Sequence, residues 1–128
     1  MITISAGRDA VQDRAQVESA ILKFFEALNV DDASDVPLAG DVHYYSMFSP
    51  EPVRGEMDVR DHIQQIAPFM LNEKYSKLIV EGGSAAVMAE FDAVNGLHNE
   101  GAFFFEVEDG LITVIVLIVL IVLVLIAL

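Results

Sequence analysis

Two pairs of residues are spaced to do chemistry together. Glu90 and Asp92 stand two apart, with Met88 two places before Glu90. On a β-strand, residues i and i+2 share a face with Cα atoms roughly 6.5–7 Å apart. Two carboxylates held that way beside apolar neighbours can differ in pKa, and one can act as general acid or base. Tyr44 and Ser46 have the same spacing, where a phenol and a hydroxyl can orient a substrate oxygen. The period of two also permits the opposite arrangement, with Phe91 facing the core and both carboxylates facing solvent. His62 lies near an apolar helical stripe and is a further pocket candidate, while His43 points away from Tyr44 and His98 sits at a hairpin. These histidines are too scattered along the chain for a recognisable metal motif. With no cysteine, zinc–thiolate sites, disulfides and thiol nucleophiles are excluded. No glycine-rich phosphate loop or hydrolase elbow is present, and no cofactor is expected.

The elements that must position these groups can be read from periodicity. Val17, Ile21, Phe24, Phe25 and Leu28 form one stripe of a helix over 9–29, with Asp9 and Gln12 as a capping box. A short second helix over 32–38 is expected, then an aromatic-rich strand over 42–48. Pro50 and Pro52 mark a loop. Val59, Ile63, Ile66, Ala67 and Met70 define a helix over 58–71, with Pro68 as a bend near its end. Strands follow over 73–80, 84–94, 98–108 and 111–118, joined by Gly82-Gly83, Asn95-Gly96 and Asp109-Gly110. Helices segregated from a strand meander make an α+β domain. The expectation is about three helices packed on a curved antiparallel sheet, cone-like, enclosing a pocket. Met88, Phe103 and Phe105 are expected among the pocket walls with Ser46 and His62.

At 128 residues the chain suits one domain with one core. Its net charge of −13 disfavours nucleic acid and anionic membranes as partners. The high apolar share of 54% is local, because residues 111–128 are Leu, Ile and Val with one Thr and one Ala. Without that run the share falls to about 47%, ordinary for a globular domain. The run lacks flanking Lys, Arg, Trp and Tyr and is rich in β-branched residues, which favours a strand over a membrane helix. Residues 119–128 are expected to continue past the sheet edge as an apolar tail. The start Met1-Ile2-Thr3-Ile4-Ser5 does not read as a signal peptide, so a cytoplasmic setting is expected.

The element order and several phrases resemble the nuclear-transport-factor-2-like superfamily, in particular its SnoaL-like branch of polyketide cyclases, limonene-epoxide hydrolases and ketosteroid isomerases. The phrases are residues 17–28, Leu38-Ala39-Gly40-Asp41-Val42, Val53-Arg54-Gly55-Glu56, and Glu108-Asp109-Gly110-Leu111-Ile112-Thr113. They cover roughly residues 10–118. The resemblance implies a pocket between the concave sheet face and the helices, and dimers through the outer sheet face. It also implies catalytic sets that this chain does not complete. Tyr44, x, Ser46-Met47 stands where the epoxide hydrolases have Tyr, x, Asn-Met. Glu90, x, Asp92 stands where they have Arg, x, Asp, and Leu117 stands near their second Asp. Ser46 takes the place of the isomerases' general-base Asp. The cyclases' acid belongs to the last strand, which is apolar here.

Three functions follow as expectations. The first is acid–base chemistry of isomerase, cyclase or hydrolase type on a small, mostly apolar molecule, carried by Asp92, Glu90 and Tyr44, with Ser46, His62, Met88, Phe103 and Phe105 binding substrate. The second is a non-catalytic binding or dimerisation module. The third is a protein anchored to a membrane by its C-terminal run.

Overall fold

The stripe Val17, Ile21, Phe24 and Leu28 is the buried face of a long helix, α1 (Gly7–Val30), in the computed structural model of the chain. The structure describes residues 7–47 and 49–120. The Asp9–Gln12 capping box, Phe48 and the tail over 121–128 lie outside the described side chains and residues. After α1 come β1 (Leu38–Ser46), β2 (Val53–Arg54), α2 (Glu56–Ile66), a 3-10 turn (Ala67–Phe69), β3 (Leu71–Glu81), β4 (Ser84–Asp92), β5 (His98–Glu108) and β6 (Leu111–Leu120).

Two α-helices form among the described residues, and the expected short helix over 32–38 does not. Asp31 ends α1 at a positive φ of 58°. The connecting carbonyls are then satisfied from α2 instead of by helical amides. Arg60 Nη1 donates to Ala33 O at 2.6 Å and to Val36 O at 3.0 Å. Gln64 Oε1 accepts from Ala33 N–H at 2.9 Å, and Gln64 Nε2 donates to Asp31 O. Pro68 lies in the 3-10 turn after α2 and does not bend a longer helix.

The six strands make one sheet in the order β2-β1-β6-β5-β4-β3. It is mixed, which corrects the all-antiparallel expectation: β3 to β6 form an antiparallel meander, but β6 pairs parallel with β1. The last strand therefore occupies the middle of the sheet. Its inward residues Ile112, Ile115, Leu117 and Val119 are buried, while Ile118 on the other face is exposed, so one-face burial accounts for only half of its apolar run. Thr113 is the extra residue of a bulge opposite Glu106 and Val107, after which Ile115, Leu117 and Val119 point inward. Residues 111–120 are thus a strand, and no described helix is long and apolar enough to cross a membrane.

Curvature comes from two devices. Edge strand β3 carries positive φ at Asn72 and Lys77, where its pairing with β4 slips register. On β5, Gly101 lets the sheet fold tightly, since a Cβ there would stand 2.2 Å from Ile118 O. The concave face so formed wraps Phe24, whose ring meets Phe25, Phe103 and Phe105 edge-on at centroid distances of 5.2 Å.

The close approach at Gly101 gives a direct test of the β5–β6 register. Gly101→Ala is expected to lower the urea midpoint with little change in slope, a loss of about 1–3 kcal/mol from overpacking. An unchanged midpoint would contradict the register.

Candidate functional site

Opposite the phenylalanine cluster the cone stays open, and a cavity of about 390 Å³ lies there. The sheet supplies Tyr44, Ser46, Leu117, Phe91 and Asn99, and the β4–β5 hairpin adds Ala93 and Leu97. The roof is His62 and Ile66 from α2, then Phe69 and Met70 from the turn after it. Strand register explains the grouping. Tyr44 and Ser46 share the inward face of β1, and Ser46 pairs with Leu117 on β6. Phe91 pairs with Asn99 across the antiparallel β4–β5 ladder.

The walls are mostly apolar, and the polar atoms converge from three elements. Tyr44 is 1% exposed, and its hydroxyl is buried with no hydrogen-bond partner. Burial pushes its phenol pKa up, so it stays a neutral donor. The His62 ring meets the Tyr44 ring at 4.6 Å and 65°. Partial burial lowers the His62 pKa from 6.5, leaving a neutral imidazole at neutral pH. Asn99 Nδ2 donates to Leu97 O at 3.0 Å, which fixes the amide and leaves Oδ1 as an acceptor. Ser46 adds a hydroxyl at the rim. No carboxylate lines the cavity among the described residues.

The sequence candidates separate into three groups. Tyr44, Ser46 and His62 come together in the cavity. Phe103 and Phe105 do not line it; they are 0% and 1% exposed and pack against α1 in the core. Met88, Glu90 and Asp92 lie on the outer face, because Ala85, Val87, Ala89 and Phe91 take the inward positions of β4. The carboxylate pair is therefore corrected away from the pocket. Asn99, Phe91, Leu97 and the turn residues Phe69 and Met70 were not foreseen. The apolar parity of Ala85, Val87, Ala89 and Phe91 was the available signal for the face of β4. Asn99 carried no such signal, being a polar residue in an otherwise apolar inward series.

His62 supplies a pH dependence with a definite sign. Its protonation is disfavoured in the folded chain, so the unfolded state binds more protons below pH 6.5. Its contribution to stability is full above 6.5 and is lost as pH falls through the lower folded value. Proton NMR titration should place the His62 midpoint below 6.5, and His62→Gln should flatten the loss of stability on acidification. A midpoint at or above 6.5 would contradict the burial of the ring.

A model of the SnoaL-like domain family matches residues 21–115. No curated protein shows significant similarity to the chain. Among solved structures, a steroid Δ-isomerase from Pseudomonas aeruginosa is 16% identical with a TM-score of 0.74, covering 83% of this chain and 80% of that one. A protein described as a SnoaL-like polyketide cyclase, from Jannaschia, is 14% identical with a TM-score of 0.69, covering 82% and 85%. A de novo designed protein with a curved β-sheet is 21% identical with a TM-score of 0.70, covering 81% and 84%. At these identities the likeness is one of fold, and the designed neighbour shows that the curved sheet does not by itself specify a natural activity.

Proposed function

The chain belongs to the SnoaL-like domain family, and from that premise we propose that it binds a small, mostly apolar molecule carrying a hydrogen-bonding oxygen and performs acid–base chemistry on it. The observation that carries this reading is Tyr44, a cavity-lining residue whose hydroxyl is buried without a hydrogen-bond partner among the described residues. An unsatisfied buried polar group costs about 1–3 kcal/mol. A carbonyl or hydroxyl oxygen on a ligand would remove that cost. The cavity volume lies in the range of small-molecule sites, and its walls are mostly apolar.

His62 is the group suited to move a proton. It is neutral near pH 7 and beside Tyr44, so its imidazole can accept a proton from a ligand carbon or from water while the phenol donates to the developing oxyanion. This assigns to His62 the role expected of Glu90 and Asp92. The lack of a carboxylate among the described lining residues favours a second reading, a binding module without turnover. The two readings make different demands on His62 and the same demand on Tyr44.

A thermal-shift screen with cyclic ketones and hydroxylated terpenoids tests the common part. Tyr44→Phe should leave the unliganded chain equally or more stable, because it deletes an unsatisfied hydroxyl, yet weaken ligand stabilisation by roughly 2–10-fold in affinity. No stabilisation of the parent, or equal stabilisation of Tyr44→Phe, would sink the pocket reading. Turnover abolished in His62→Gln with binding retained would select the enzyme over the binding module.

The same proposal includes a homodimer through the outer sheet face in a cytoplasmic setting. Tyr45, Met88, Phe104 and Ile118 are exposed there on neighbouring strands, in the rows Met88–Ala102–Ile118 and Ala86–Phe104–Val116–Tyr45. Such an apolar band supports an interface. Sedimentation should give a dimer for the parent and a monomer for Phe104→Glu; a monomeric parent at micromolar concentration removes the dimer from the proposal.

A further inference from the structure

Beyond the apolar band, four side chains meet on the outer face at the hairpin end of β4 and β5. Asp92 stands opposite His98, and Glu90 opposite Glu100, in adjacent outward rows. His98 Nδ1 is 3.0 Å from Asp92 Oδ1. Its Nε2 is 3.3 Å from Glu90 Oε1 and 3.6 Å from Glu100 Oε2. Asn72 Nδ2 donates to Asp92 Oδ2 at 3.0 Å, so the carboxylate that holds the imidazole is itself held from β3.

This arrangement has a consequence for the ring. With Nδ1–H donated to Asp92, an incoming cation that displaced the Nε2 proton would find that nitrogen's lone pair between the two glutamates. A carboxylate on the far nitrogen is the usual support of a metal-bound histidine. The donor atoms of Glu90, His98 and Glu100 all lie within 4.8 Å of one another. The two His98–glutamate separations of 3.3 and 3.6 Å match edges of a tetrahedron with bonds of about 2.0–2.2 Å, the lengths of zinc–nitrogen and zinc–carboxylate bonds. Glu90 and Glu100 repel each other across the ladder, with Lys74 opposite Glu90 on β3 as the neighbouring ammonium.

We propose that His98, Glu90 and Glu100 form a binding site for a divalent cation of the zinc class, with Asp92 as the positioning residue of the imidazole. One nitrogen and two carboxylates favour such a cation over calcium or magnesium, which prefer oxygen ligands alone. The half-exposed ligands leave the remaining coordination position to water. Bound there, the cation clips β4 to β5 behind Phe91 and Asn99, which line the cavity on the opposite face. The site is independent of what the cavity binds.

The test uses the untagged full chain, stripped with chelator and titrated calorimetrically with zinc alone. One equivalent is expected to bind, with no binding of magnesium at the same concentrations. His98→Gln and Glu100→Gln should each weaken affinity at least ten-fold, and Asp92→Asn by about 10–100-fold through the imidazole. His43→Gln, on the same protein but outside the cluster, should leave affinity unchanged. Circular dichroism checks that each variant folds, and Glu90→Gln reads the same site if His98→Gln does not. Absence of one-to-one zinc binding by the parent overturns the proposal. So does unchanged affinity in a folded ligand variant, or magnesium binding as tightly as zinc.

Discussion

Strand β6 holds the cone together by pairing on both sides, parallel with β1 and antiparallel with β5. Ile112 N–H reaches back to Pro37 O at 2.8 Å, so the start of β6 is tied to the loop that enters the first strand. Ile112, Ile115, Leu117 and Val119 then form the floor of the core. Burying such side chains contributes roughly 1.5–3 kcal/mol each. Without β6 the β3–β5 meander and the β1–β2 pair would be separate pieces, each with an open edge and an apolar face. Both the phenylalanine core and the cavity rest on this one strand.

Tyr44 and His62 show how that frame sets the environment of polar side chains. The sheet curves around α1 at one end, where Phe24 fills the space between helix and strands. At the other end α2 and the turn after it stand away from the sheet, and the gap becomes the cavity. Arg60 and Gln64 set that stance by satisfying the backbone between Asp31 and Val36. Burial beside this gap keeps the Tyr44 phenol and the His62 imidazole neutral. Their environment thus sets the protonation states in which one can donate and the other can accept.

Strand parity assigns the remaining polar groups to a separate region. On β4 the small and apolar residues take the inward positions, and Glu90 and Asp92 are left with His98 and Glu100 on the outside. There His98 is drawn to its partners mainly through its hydrogen bond to Asp92, which raises the imidazole pKa and lowers that of the carboxylate. The same parity places Met88, Phe104 and Ile118 on the outer face. One sheet therefore has a concave side that lines a mostly apolar cavity and a convex side that joins an apolar band to a charged cluster.

The sequence by itself determined the helix stripe of Val17, Ile21, Phe24 and Leu28, the strand meander and its turns at Gly82, Asn95 and Asp109, and the family. Those features are local: apolar periodicity and turn-forming residues act over a few neighbours. Tyr44, Ser46 and His62 were legible as pocket residues because the aromatic strand and the α2 stripe each had a readable face. The side taken by Glu90 and Asp92 was signalled only by the unbroken apolar parity of Ala85, Val87, Ala89 and Phe91, a signal blurred by Ala86 and Met88 on the other parity. The parallel β1–β6 pairing, the loop held by Arg60 in place of a helix, and the meeting of His98 with three carboxylates were decided only by tertiary structure. Each depends on contacts between residues far apart in the chain, which no local pattern encodes.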